Sequence, residues 1–128
     1  MQTPSTSVVE REAYETGASV NDIHSQLNET RVAAIVKPRD LGELRSTLTE
    51  ARRSDQSISI AGGRHSMGGQ QFGEGTVLID TRTLDRVLSF DPATGHLTVQ
   101  GGIQWPALLA YLERAQAGSS RPLSLIHI

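Results

Sequence analysis

The residues best placed to do chemistry lie in one stretch, Ile58 to Gly75, which reads ISIAGGRHSMGGQQFGEG. Gly62-Gly63 and Gly68-Gly69 bracket Arg64, His65, Ser66 and Met67. Glycine lets a backbone reach positive φ and approach a ligand closely, because no Cβ intervenes. Successive N–H groups in such a bend converge into a concavity for phosphate oxygens. Upstream, Ile58 and Ile60 alternate with Ser57 and Ser59, the two-residue period of a half-buried strand. A glycine-rich turn leaving a strand is a candidate phosphate cradle. A plain surface loop joining two strands is the alternative these residues leave open, although a linker has little use for an Arg-His pair between two Gly-Gly pairs.

Two familiar cradles are excluded. A P-loop needs Lys-Ser or Lys-Thr after its last glycine, and Gln70-Gln71 follow Gly69 instead. A Rossmann turn opens a helix, whereas Gly73 and Gly75 come next. The four histidines, at positions 24, 65, 96 and 127, have no metal-ligand spacing. Ser66 and His65 lack a nucleophile elbow. No metal ligand and no catalytic residue is assigned. Asp80 reads as a strand-end cap of the following turn, and His96 as a solvated hairpin side chain.

The elements that must position this stretch can be read from the flanking pattern. Residues 1–21 are polar and form an N-terminal arm, either disordered or packed along the domain edge. In Asn21–Thr30, His24, Gln26 and Asn28 either line a site or hydrogen-bond a loop entering a strand. Arg31–Val36 is β-branched and stops at Pro38. A helix over 41–53 is capped by Asp40, with Glu43 completing a capping box. Its Leu41, Leu44, Leu48 and Ala51 make one apolar stripe, and Arg52 and Arg53 suit its last turn. Strand, helix, strand predicts a right-handed βαβ unit of Val32–Val36 and Ile58–Ala61, with the glycine stretch leaving its carboxyl end, where α/β sheets place ligands. Strands Thr76–Asp80, Val87–Phe90 and Leu97–Gln100 then pair mainly antiparallel. Gly101-Gly102 precedes a second helix from about Trp105, with Pro106 in its first turn. The predicted fold class is α+β.

Composition bounds the function. The 128 residues suffice for one core, and 37% hydrophobic with 20% charged residues suits a globular protein. A net charge of −2 offers no basic surface for nucleic acid. Without cysteine there is neither a disulfide scaffold nor a thiol nucleophile, which fits a reducing compartment and a cytoplasmic location. No signal peptide and no membrane span is expected.

With the elements placed, the glycine stretch resembles the first flavin-binding loop of the FAD-linked oxidases related to vanillyl-alcohol oxidase and p-cresol methylhydroxylase. Their pattern is a strand, Gly-Gly or Gly-x-Gly, His-Ser, then small residues. Gly63-Arg64-His65-Ser66 resembles the form in members that attach the flavin covalently to histidine. The similarity runs from about Val20 to Gln116. It implies that residues 22–122 are the N-terminal part of a FAD-binding domain within a flavin-dependent oxidoreductase. It further implies that FAD lies against Ala61, Gly62, Gly63, Arg64, His65, Ser66, Met67, Gly68, Gly69 and Gln70, with His65 as the covalent attachment point. Arg64 either adds charge near the phosphates or points to solvent, and Gly101-Gly102 lies near the flavin or merely starts its helix. The complete enzyme would take a hydride from a carbon bearing hydroxyl or amine, on a small substrate bound by a further C-terminal domain. Leu123–Ile128 resembles a translated sequencing adapter and is expected to be a non-native tail on a truncated, inactive fragment. A non-catalytic phosphate- or nucleotide-binding module is the other function these residues allow.

Overall fold

Val77, Leu78, Ile79 and Asp80 are four consecutive buried residues. An apolar run without alternation suits a strand covered on both faces. The computed structural model describes residues 14–120 and Pro122, with the backbone alone at Tyr14 and Glu15. Its strands are β1 (Tyr14–Thr16), β2 (Ser19–Val20), β3 (Thr30–Arg31), β4 (Ala34–Val36), β5 (Ile58–Ala61), β6 (Val77–Asp80), β7 (Val87–Phe90) and β8 (Leu97–Val99). Two helices, α1 (Leu41–Arg53) and α2 (Trp105–Ala115), complete it. The main sheet has the order β1-β4-β6-β5, while β2-β3 and β7-β8 are separate two-stranded ribbons. The fold class is the expected α+β. The tail Leu123–Ile128 and residues 1–13 of the arm lie outside the described residues.

β4 and β5 run parallel as expected, with β6 between them pairing in parallel with both. One expectation about this sheet is corrected. The expected antiparallel pairing of Thr76–Asp80 with the later strands does not form, and this segment is instead the central parallel strand. The reason is the glycine stretch itself. Parallel strands need a crossover of about a dozen residues or more, and the 62–76 segment supplies one without a helix. β7 and β8 do pair antiparallel as predicted, with an irregularity between Val87 and Ser89. β1 runs antiparallel along β4, from Tyr14↔Val36 to Thr16↔Ala34.

Helix α1 has its predicted bounds and cap. Asp40 accepts from the Glu43 N–H at 2.8 Å. Glu43, however, reaches back to the Arg39 N–H (2.7 Å) rather than to that of the cap residue. The predicted leucine stripe is also corrected, since Leu41 is 60% and Leu48 39% exposed while Thr47 and Ala51 are buried. Thr47 can sit on the buried ridge because its hydroxyl donates to the Glu43 carbonyl at 2.9 Å. Val20, Val32, Ile35, Ala61 and Leu78 form the core cluster, with Ala18 and Phe72 packed against it.

Helix α2 begins after Gln104, which makes no side-chain cap, and has Pro106 in its first turn. Its approach to the sheet depends on Gly102. That residue donates to the Leu84 carbonyl at 2.9 Å, and a Cβ there would fall on the Thr81 carbonyl. The 101–104 turn is thereby pressed onto the carboxyl end of β6. Among the described residues, no helix is long and apolar enough to cross a membrane.

Candidate functional site

The glycine stretch leaves the sheet where Ala61 pairs with Asp80, at the carboxyl ends of β5 and β6. No helix begins within 66–71, which leaves the Rossmann geometry excluded. Arg64 adopts φ 59° and Gly69 φ 71°. The left-handed region costs a residue with a side chain roughly 1–2 kcal/mol, so Arg64 needs something to hold it. Its guanidinium turns inward to Asp80, Nη2 to Oδ2 at 3.5 Å, with the side chain only 18% exposed. Its Nε is buried with no hydrogen-bond partner among the described residues. The expected alternative in which Arg64 points to solvent is corrected, because its guanidinium turns inward beside a buried carboxylate.

Asp80 is 1% exposed. It accepts from the Arg82 N–H at 3.1 Å and from the Arg82 side chain at 2.9 Å, capping the turn over Thr81–Thr83 as predicted. Burial pushes its pKa up, but the Arg82 hydrogen bonds and the charges of Arg82 and Arg64 outweigh that and hold the carboxyl below its ordinary range. The acid is thus neutralised from within and adds no repulsion for an anion in the loop.

The backbone N–H groups from Gly63 to Gly68 donate no hydrogen bond among the described residues. These six residues are half-buried or exposed, so their N–H groups are open to water or to a ligand. Gly62 lies near the Thr81 hydroxyl, where a Cβ would stand 3.8 Å away. At Gly63 a Cβ would meet Gln104 Oε1 and His65 Cδ2, both at 2.7 Å. The loop thus folds against the start of α2. Ser66 accepts from Gln71 Nε2 (2.8 Å) through its carbonyl, while Met67 and Gln70 are exposed.

A second loop, 21–28, backs the first. Asp22 is 1% exposed and gathers the N–H groups of His24 (3.0 Å) and Ser25 (2.6 Å), the Ser25 hydroxyl (2.8 Å) and Asn28 Nδ2 (2.8 Å). Burial raises its pKa, but these hydrogen bonds, that of Asn28 foremost, prevail and lower it well below the carboxylate range. Asn28 Nδ2 also donates to the Met67 carbonyl at 2.6 Å, and the Ile23 N–H donates to the Arg64 carbonyl at 3.1 Å. His24 Nε2 stands 2.9 Å from His65 Nδ1. Of the three residues weighed from this segment, His24 and Asn28 meet the glycine loop, whereas Gln26 contributes only backbone. Asp22 was missed in the sequence, although the density of Asn, Asp and Ser there is its signal. Gly102, read as a helix start or a flavin neighbour, proves to be a close contact with Thr81, and Gln104 had no comparable signal, because these are contacts between distant segments.

A family model described as "FAD binding domain" matches residues 32–127. The chain belongs to this family. It is 34% identical over 86 residues to L-gulono-1,4-lactone dehydrogenase of Mycobacterium tuberculosis, covering 67% of this chain and 20% of that protein. The chain thus spans about a fifth of the length of the curated relatives it matches. Among solved structures, alkyldihydroxyacetonephosphate synthase superposes with TM-score 0.62 at 26% identity, covering 67% of this chain and 17% of that one. 6-Hydroxy-D-nicotine oxidase from Arthrobacter nicotinovorans (TM-score 0.61, 18% identity, 77% and 20% covered) and p-cresol methylhydroxylase (0.60, 14%, 68% and 18%) share the fold. The FAD binding domain thus belongs with the FAD-linked oxidoreductases, and FAD is its cofactor.

Proposed function

We propose that this FAD binding domain is the N-terminal part of a longer oxidoreductase, and that Ala61 to Gln70 form its first contact with FAD. The observation that carries the reading is the row of unused N–H donors from Gly63 to Gly68 at the carboxyl ends of two parallel strands. Donors of that kind suit the pyrophosphate and ribityl oxygens of FAD. Asp80 stays neutralised by Arg64 and Arg82, so the anion meets no bare carboxylate. Gly63 and Gly102 keep two turns close, which walls the cradle. Bound FAD would supply hydride acceptance from a carbon bearing hydroxyl or a similar group, the chemistry in keeping with the lactone dehydrogenase relative. The domain's own residues hold and orient the cofactor. His65, exposed within the loop, is the proposed point of covalent attachment. The substrate is a small molecule bound by a further domain, and the enzyme is cytoplasmic.

The full-length protein should be yellow, and acid precipitation should leave the colour in the pellet. In His65→Ala the colour should pass to the supernatant. Colour released from the wild type would remove the covalent link and leave FAD binding standing. A full-length protein that stays colourless in the presence of FAD while binding other phosphates would favour the non-catalytic module instead.

A further inference from the structure

Resting on the proposed FAD cradle, we infer that Arg64 makes the glycine loop select a flavin carrying pyrophosphate, by leaving one positive charge beside its open N–H groups. Two loop residues, Gly69 and Arg64, take positive φ, at 71° and 59°. For Arg64, which has a Cβ, this is strained, and such strain persists where the surroundings over-determine it, commonly at a ligand clamp. A left-handed residue within a bend also turns successive N–H groups to one side, the geometry of an anion-binding nest. The carbonyls of Arg64, Ser66 and Met67 are taken by the Ile23 N–H (3.1 Å), Gln71 Nε2 (2.8 Å) and Asn28 Nδ2 (2.6 Å). The loop is thus fastened through its acceptors, and its donors are left for a ligand.

The Arg64 guanidinium does more than anchor that bend. Arg82 already holds Asp80, through its N–H at 3.1 Å and its Nε at 2.9 and 3.2 Å. Arg64 adds one contact of 3.5 Å, at the limit of a hydrogen bond, and its buried Nε has no partner among the described residues. A cation is costly to bury for so little pairing. Burial raises the pKa of Asp80, but the two arginines hold it below the ordinary range, so the carboxylate stays ionised. Two cations facing one anion leave one positive charge over, at the carboxyl ends of β5 and β6 where the loop departs. The Arg64 side chain is mostly buried, so this charge acts on a bound anion through the loop rather than by contact. Riboflavin has the ring and ribityl chain of FAD but no phosphate, and gains nothing from it.

The test titrates FAD and riboflavin into full-length apoprotein carrying His65→Ala, which keeps binding reversible, and follows flavin fluorescence. Arg64→Gly in that background keeps the left-handed bend without strain and removes the charge. It should bind FAD about tenfold more weakly and riboflavin as before. Arg64→Lys, which keeps the charge, should recover most of the FAD affinity. With Arg64 in place, raising the salt concentration should weaken FAD binding and leave riboflavin binding unchanged. Unchanged FAD affinity in Arg64→Gly, an equal loss for both flavins, Arg64→Lys as weak as Arg64→Gly, or equal salt dependence of the two flavins would each overturn the role of Arg64 while leaving the cradle intact. Failure of the protein with Arg64 in place to bind FAD at all would overturn the cradle as well.

Discussion

The glycine loop and the 91–95 hairpin turn are both glycine-bearing connections between strands, yet they treat their backbone donors oppositely. In the hairpin, Asp91 accepts the Ala93 N–H at 2.9 Å and the Thr94 hydroxyl at 2.7 Å, while the Gly95 N–H returns to the Asp91 carbonyl at 2.8 Å. That turn satisfies itself. From Gly63 to Gly68 no such closure occurs, and the side chains that fasten the loop, Asn28 and Gln71, donate to its carbonyls instead. Carbonyls are consumed and N–H groups are left open. The hairpin pairs its own polar groups, whereas the glycine loop leaves N–H groups that an anion can take.

The comparison can be broken most severely at Gly102, which presses the α2 turn onto the sheet beside the open loop. Gly102→Ala should cost about 3 kcal/mol, since its Cβ would strike backbone that cannot rotate away. Chemical denaturation of the full-length protein would show it, and wild-type stability would contradict the packing described. Asp80→Asn comes next, at about 2 kcal/mol, because two arginines lose their carboxylate. The folded pKa of Asp80 lies below its unfolded value, so its contribution is present above the ordinary carboxylate range and lost as pH falls through the lowered pKa. The slope of stability against pH below about 4 should therefore flatten in Asp80→Asn.

Two glycine substitutions set the loops directly against each other. Gly63→Ala should weaken FAD binding by the apoprotein about tenfold, or about 1.4 kcal/mol, with little change in stability, because its Cβ displaces the movable His65 and Gln104 side chains. Gly95→Ala, at φ 76°, should cost about 1 kcal/mol of stability and leave FAD affinity unchanged. Titration of each variant with FAD, beside its unfolding curve, measures both quantities. If the two substitutions affected binding equally, the distinction between the loops would collapse.

Local pattern was enough to read much of this protein. Asp40 and Glu43 marked the start of α1 and Asp91–Gly95 marked a hairpin, because caps and turns are written within a few neighbouring residues. Alternation located the strand Ile58–Ala61 but not its faces, since Ile58 and Ile60 are exposed and Ala61 is buried. The glycine-bracketed Arg-His-Ser was legible for the same reason. Tertiary structure alone decided that β6 takes the middle of the sheet, since burial on both faces is settled by competition among strands. It also decided that Arg64 turns inward, because its partner Asp80 arrives only once β5 and β6 pair. Likewise it brought His24 to His65, forty-one positions apart. Contacts of that separation depend on how loops close over a finished sheet, and no local period encodes them.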